Sequence, residues 1–175
     1  PTLSMICTVR DPLTSGNYSR DPRWIAQKAE AYLAGSGLAD VSYWGPELEH
    51  FIFDDVRWGV EMKGAFYAVE SDESSWASEK VFEDGNIGHR PGIKGGYFPV
   101  PPVDSLQDIR STMCLIMDEM GLETEVHHHE VATAGQGEIG TKFDTLVRRA
   151  DSLQILKYVI HNVAAAYGKF RAFGL

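Results

Sequence analysis

Residues Val41 to Trp58 constrain the fold more than any other stretch of the chain. Strand-forming residues, Tyr43, Trp44, Phe51, Ile52 and Phe53, flank the dipeptide Gly45-Pro46, and Asp54-Asp55 closes the run, a pattern that predicts strand. Side chains two apart in a strand share a face, so Glu47 and Glu49 point the same way with attachment points roughly 6 to 7 Å apart. Phe51 and Phe53 continue that face. Two acids at the end of an apolar row repel each other unless a cation lies between them, and hard divalent ions such as Mg²⁺ or Mn²⁺ take oxygen ligands of this kind. The competing reading is a solvated edge strand with its glutamates in water.

The 175 residues suffice for one domain with a real core, and 43% hydrophobic with 23% charged residues is a globular profile. Lys plus Arg is 16 against 25 Asp plus Glu, a formal charge of −9. That field repels phosphate backbones and anionic headgroups, so neither nucleic acid nor membrane is expected as a partner, and cations are favoured guests. No apolar run approaches the ~20 residues needed to cross a bilayer and no targeting segment is visible, which predicts a cytoplasmic protein. Cys7 and Cys114 have apolar neighbours and read as buried, reduced thiols.

Leu3 to Val9 reads as a strand. A first helix starts at Asp21, which can cap it, with Pro22 in its first turn; Ile25, Ala29, Tyr32 and Leu33 share one face, and Gly35 and Gly37 end it. Ala65 to Val69 and Tyr97 to Val100 read as short strands separated by a polar connection around Glu83 to Gly96. A second helix runs from Asp104 or Ser105 to Met120 with Leu106, Ile109, Met113, Ile116, Met117 and Met120 as its stripe. Glu123 to Ala132 is strand-like, Thr133 to Gly140 reads as a loop, and a third helix spans Asp144 to Tyr167 with Leu146, Ala150, Leu153, Leu156, Ile160 and Val163 facing inward. Strands and helices mix without strict alternation, so the expected class is α+β, a curved, largely antiparallel sheet backed by helices.

A second cluster comprises Glu125, His127, His128, His129, Glu130 and Glu138. Strand alternation separates His127 and His129 from His128 and Glu130, so three imidazoles cannot share one ion in an unbroken strand. Glu130 and Glu138 flank a glycine-rich turn able to fold back, which would let both acids converge on a metal that Glu47 and Glu49 also face. The glycines of Gly88 to Pro102 allow close backbone approach, but their spacing is neither a Walker loop nor a dinucleotide fingerprint. No G-x-S-x-G or H-E-x-x-H occurs, which disfavours nucleophilic hydrolases and zincins.

Five segments together, NYSRDPR at 17 to 23, GPELEHFIFDD at 45 to 55, HRPGIKGGYFPVPPVDS at 89 to 105, HHHEVATAGQGEIG at 127 to 140 and ILKYVIHNVA at 155 to 164, resemble the central catalytic segment of glutamine synthetase, bacterial and archaeal type. The resemblance implies one partial catalytic domain over residues 1 to 175. Its activity would be ATP-dependent glutamine formation from glutamate and ammonium through γ-glutamyl phosphate, with Mg²⁺ or Mn²⁺. By motif position, Glu49, Glu130 and Glu138 resemble the carboxylates of one metal and Glu47 a ligand of the nucleotide-side metal. Glu130 and Tyr97 fall at the catalytic positions, Tyr97 near the ammonium pocket. Glu125, His128 and Phe143 lie where the family approaches ATP. The family's later nucleotide-side ligands and arginines do not appear among these residues, so the chain alone is expected to be inactive and to self-associate or to need a complementing chain. The alternative is a noncatalytic metal-binding or interaction module on the same fold.

Overall fold

The computed structural model describes residues 2–77, 80–83, 85 and 88–173, the last three by backbone alone. Its elements are α1 (Pro22–Ser36), β1 (Tyr43–Trp44), β2 (Glu49–Phe53), β3 (Asp55–Glu61), β4 (Gly64–Glu70), α2 (Gln107–Glu119), β5 (Thr124–His129), β6 (Gln136–Thr141), β7 (Asp144–Thr145), α3 (Leu146–Ala166) and β8 (Phe170–Phe173). Every strand pairing among them is antiparallel, so the class is the mixed helix and antiparallel sheet that the sequence predicts. No helix is long and apolar enough to cross a membrane among the described residues.

Two compact units divide the chain: residues 1–46 with 142–156, and residues 47–141 with 157–175. The first holds α1, the β1–β7 pair and the opening turns of α3. Asp21 caps α1, its carboxylate accepting from the Arg23 N–H at 3.1 Å, and Gly37 stops the helix in the left-handed region at φ 74°. Arg23 fixes α1 to the start of α3 through Asp151 at 2.9 Å. The apolar face expected of α1 is not covered: Ile25 and Tyr32 are exposed and no residue of the helix is buried. Nor is Leu3 to Val9 a strand. Among the described residues the segment pairs with no strand; its Val9 N–H is taken by the Asp21 carboxylate at 3.0 Å and its Val9 carbonyl by the Tyr18 N–H at 3.1 Å.

In the second unit a four-stranded sheet has the order β5-β6-β2-β8, and β3 with β4 forms a separate hairpin. Helix α2 lies on β5 and β6. It buries Leu106, Ile109, Met113 and Met117 of the expected stripe, while Met120 is exposed because the helix has ended at Glu119. From α3 this unit buries Val159, Ile160, Val163 and Ala164, while the buried Leu156 belongs to the first unit. The stripe expected further upstream is thinner: Ala150 is exposed, and Leu146 and Leu153 are half-buried.

Two further expectations change here. Of the residues read as loop, 133–140, those from 136 onward belong to the buried strand β6. Tyr97 to Val100 form no strand, although the chain just before them follows the end of β5, with the Lys94 N–H donating to the Ala132 carbonyl at 2.7 Å. Of the polar connection around Glu83 to Gly96, residues 84, 86 and 87 lie outside the described set.

Candidate metal centre

Strand register assembles the site. Glu49 of β2 lies directly opposite Glu138 of β6, and Glu138 lies opposite His128 of β5. Facing residues of an antiparallel ladder project to the same side, with Cβ atoms roughly 4.5 to 5.5 Å apart, so one row carries Glu49, Glu138 and His128. Glu130, two residues beyond His128, joins that face, held by its N–H to the Gln136 carbonyl at 3.0 Å. His128 Nε2 sits 2.7 Å from Glu130 Oε1 and 3.3 Å from Glu138 Oε2. One ligand atom from each of His128, Glu130 and Glu138 lies within 4.8 Å of the other two.

The electrostatics follow from that crowding. Burial, followed by a hydrogen bond shared with Glu130, raises the Glu138 carboxyl above the ordinary glutamate range. Burial pushes Glu130 upward too. There it is outweighed by the Val131 N–H at 2.9 Å, by His128 and by the bond from Glu138, so Glu130 lies below the ordinary range. The two carboxyls are thereby made unequal, Glu138 held above and Glu130 below the ordinary glutamate range. The Nδ1 of His128 is buried and lacks a hydrogen-bond partner among the described residues.

On the opposite face of the same strands, His50, Gly137 and His129 form the next row. His50 is fully buried; burial, then the charge of Arg110, lowers its pKa to about 4. Gly137 is glycine for a reason of space, since a Cβ there would stand 2.9 Å from Cδ of Arg110. His129 Nε2 meets the buried carboxylate of Glu73 at 2.7 Å, and its Nδ1 meets the Glu130 carbonyl at 3.0 Å. A carbonyl only accepts, so Nδ1 carries a proton. Burial alone would lower the pKa of this ring, but Glu73 outweighs it and the net direction is upward.

A loop walls the site with aromatic rings. Phe98 stacks on His128 at 4.9 Å and 21°, and Tyr97 stands edge-on to His128 at 6.0 Å and 76°. Gly96 permits the approach, because a Cβ there would come within 2.6 Å of the Glu130 carbonyl oxygen.

The residues singled out in the sequence are thus distributed unevenly. Glu49, His128, Glu130 and Glu138 share one face, and the exposed Tyr97 ring borders it. Glu47 is exposed and precedes β2, so it does not share a strand with Glu49 as expected; its charge nonetheless reaches Glu138. Glu125 is exposed at the irregular end of β5, where the register shifts between Thr124 and Val126. Phe143 belongs to the first unit, edge-on to Tyr43 at 5.2 Å. Sequence reasoning missed Gln136, whose amide donates to Glu49 at 2.6 Å and accepts from the Ala132 N–H at 2.6 Å. Its signal was present: Gln136 lies two residues from Glu138, hence on the same face once 136–141 is strand. Glu73 carried no local signal.

Fold and site together define a class: an antiparallel sheet that gathers carboxylates and one imidazole on one face, bordered by an aromatic loop. The sequence matches the family model "Glutamine synthetase, catalytic domain" over residues 19–174. It is 61% identical to the glutamine synthetase of Methylococcus capsulatus and 55% identical to that of Escherichia coli K12, alignments covering 99% and 98% of this chain. It is also 58% identical, over 99% of its length, to the 3-hydroxylaminophenol mutase of Cupriavidus pinatubonensis. The solved glutamine synthetase of Plasmodium falciparum superimposes with a TM-score of 0.81 at 26% identity, covering 93% of this chain and 32% of that one. The chain belongs to the glutamine synthetase catalytic-domain family. It spans 37% of the length of the curated relatives named here.

Proposed function

We propose that this chain is the central part of an ATP-dependent glutamate–ammonia ligase and that its two units belong to one catalytic domain. The observation that carries the reading is the shared row Glu49–Glu138–His128 with Glu130 beside it. Such a donor set suits Mg²⁺ or Mn²⁺, which prefer carboxylate oxygens. Glu49, Glu130 and Glu138 would hold one ion and Glu47 would contribute to a second. Bound there, a dication would offset negative charge on a transferring phosphoryl group. The protein's own part is to hold Glu130 and Glu138 together on one face, to keep Glu49 aimed through Gln136, and to border the site with the rings of Tyr97 and Phe98. By the resemblance, Tyr97 faces ammonium, and Glu125, His128 and Phe143 serve ATP.

Titrating Mn²⁺ by electron paramagnetic resonance tests the cage. Glu130→Gln and Glu49→Gln each remove a charged oxygen donor and are expected to weaken binding at least about 10-fold. Unchanged affinity in both variants overturns the assignment. Glutamine formation from glutamate, ammonium and ATP tests the chemistry; Mn²⁺ binding without turnover favours the noncatalytic binding module. The aromatic pair beside the acids and the mutase relative support a second reading, rearrangement of an aromatic hydroxylamine. Conversion of 3-hydroxylaminophenol without ATP would establish it.

A further inference from the structure

Glu73 is fully buried in the turn after β4, and its two oxygens take four hydrogen bonds. Oε1 accepts from the N–H and hydroxyl of Ser105, just before α2, at 2.8 and 3.1 Å. Oε2 accepts from the Gly135 N–H at 2.8 Å and meets His129 Nε2 at 2.7 Å. His129 in turn donates from Nδ1 to the Glu130 carbonyl at 3.0 Å. The second oxygen therefore ties together the two limbs of the turn between β5 and β6, the limb carrying Glu130 and the limb leading to Gln136 and Glu138. A fully buried carboxylate is costly unless its bonds are complete; here Oε1 is satisfied by Ser105 and the two bonds at Oε2 fix the turn next to the acidic row.

We infer that Glu73 and His129 form a positioning relay that sets the spacing of Glu130 and Glu138 and so tunes the affinity of the acidic site for a divalent cation. The inference rests on the metal-cage reading of that site. Groups that orient metal ligands from behind typically contribute about 10- to 100-fold in metal affinity, although they never touch the ion. Glu73 is sequence-distant from every acid it positions, being 57 residues before Glu130.

Three variants test the relay. Glu73→Gln keeps the shape but replaces one accepting oxygen with a donor, which then opposes the backbone N–H of Ser105 or of Gly135. His129→Asn keeps a donor near the Nδ1 position and cuts the link to Glu73; His129→Gln keeps the link and loses the contact with the Glu130 carbonyl. Each is expected to weaken Mn²⁺ binding by about 10-fold or more and to change the line shape of the bound Mn²⁺ resonance, which reports ligand geometry. A purely structural role would lower the melting temperature while leaving affinity and line shape of the folded fraction at wild-type values, and that result overturns the relay. If Glu73→Gln does not fold, the histidine pair decides. Wild-type binding that weakens in Glu130→Gln but stays within two-fold in the relay variants sinks the relay alone. Absence of Mn²⁺ binding by the wild type sinks the cage, and the relay with it.

Discussion

At Gly135 the backbone turns through φ +82°, and a Cβ there would lie 2.5 Å from the carbonyl oxygen of Ile52. Neither obstacle can relax, because the clash is with backbone whose amide, Ile52 N–H, already donates to the Gly135 carbonyl at 2.9 Å. Gly135→Ala should destabilise the protein by about 3 kcal/mol, combining left-handed strain with displacement of β2; a melting curve within 2 °C of wild type would refute this. Gly37 is left-handed too, but a Cβ there meets nothing, so alanine at 37 should cost less than at 135. The two cysteines, expected to be alike, are not: Cys7 is exposed and Cys114 half-buried. Burial pushes the Cys114 thiol above its ordinary pKa, and the thiolate is the reactive form. Alkylation at pH 7 should label Cys7 first, with Cys114 slower and gaining rate as pH rises past the ordinary thiol range. Peptide mass mapping over time checks the order, and equal rates at both sites would contradict the burial.

Among elements, α2 depends on one buried ion pair. Arg110 is 1% exposed and Asp104 5%, and their bidentate contact measures 3.1 and 2.5 Å. Asp104 also accepts from the N–H of Leu106, the N-cap residue, at 3.2 Å and so fixes the chain where the helix begins, although the helix has no side-chain cap. Asp104→Ala strands a buried guanidinium and should cost about 3 to 5 kcal/mol, whereas Asp104→Ala with Arg110→Met removes the stranded charge and should cost less than the single change. Urea unfolding of both variants distinguishes the outcomes; a double variant less stable than the single would show that the pair is not the anchor. Readability from sequence followed the same local logic. Both ends of α1 are legible because Asp21-Pro22 at its start and Gly37 at its end each act within one turn, and the Met stripe of α2 because periodicity reports a buried face. Strand β6 was not, since its glycines at 137 and 140 suit a loop. Only the folded neighbours explain them, with Arg110 Cδ 2.9 Å and Val126 Cγ1 2.8 Å from where Cβ atoms would stand. Placing Glu138 in a loop still allows it to converge with Glu130 on a site that Glu49 faces, and register then sets Glu49 directly opposite Glu138, whereas the buried support from Glu73 is visible only through tertiary contact.

For the whole molecule, the hairpin of β3 and β4 raises the question of what covers it. Its register places Val56 opposite Val69, Trp58 opposite Tyr67 and Val60 opposite Ala65, so one face is wholly apolar. The other face carries charge, with Arg57 bonded to Glu70 at 2.8 Å and Asp55 at 3.1 Å. Trp58 is 70% exposed, Val60 83% and Tyr67 80%. An isolated two-stranded hairpin is marginal in water, and an apolar patch of this kind marks a contact surface. Aromatic side chains bury about 150 to 250 Å² each, so Trp58 and Tyr67 together supply roughly half of the ~800 Å² that each partner contributes to a standard interface. Self-association through this face therefore needs a second patch, and disrupting the hairpin should weaken assembly without abolishing it. Light scattering across a concentration series should show the wild-type mass rising with concentration, and Trp58→Lys with Tyr67→Lys should move that rise to at least about 10-fold higher protein, since a buried lysine charge opposes the contact. A rise at the same concentration in both proteins would assign assembly to another surface, and the hairpin would then await a partner from outside this chain.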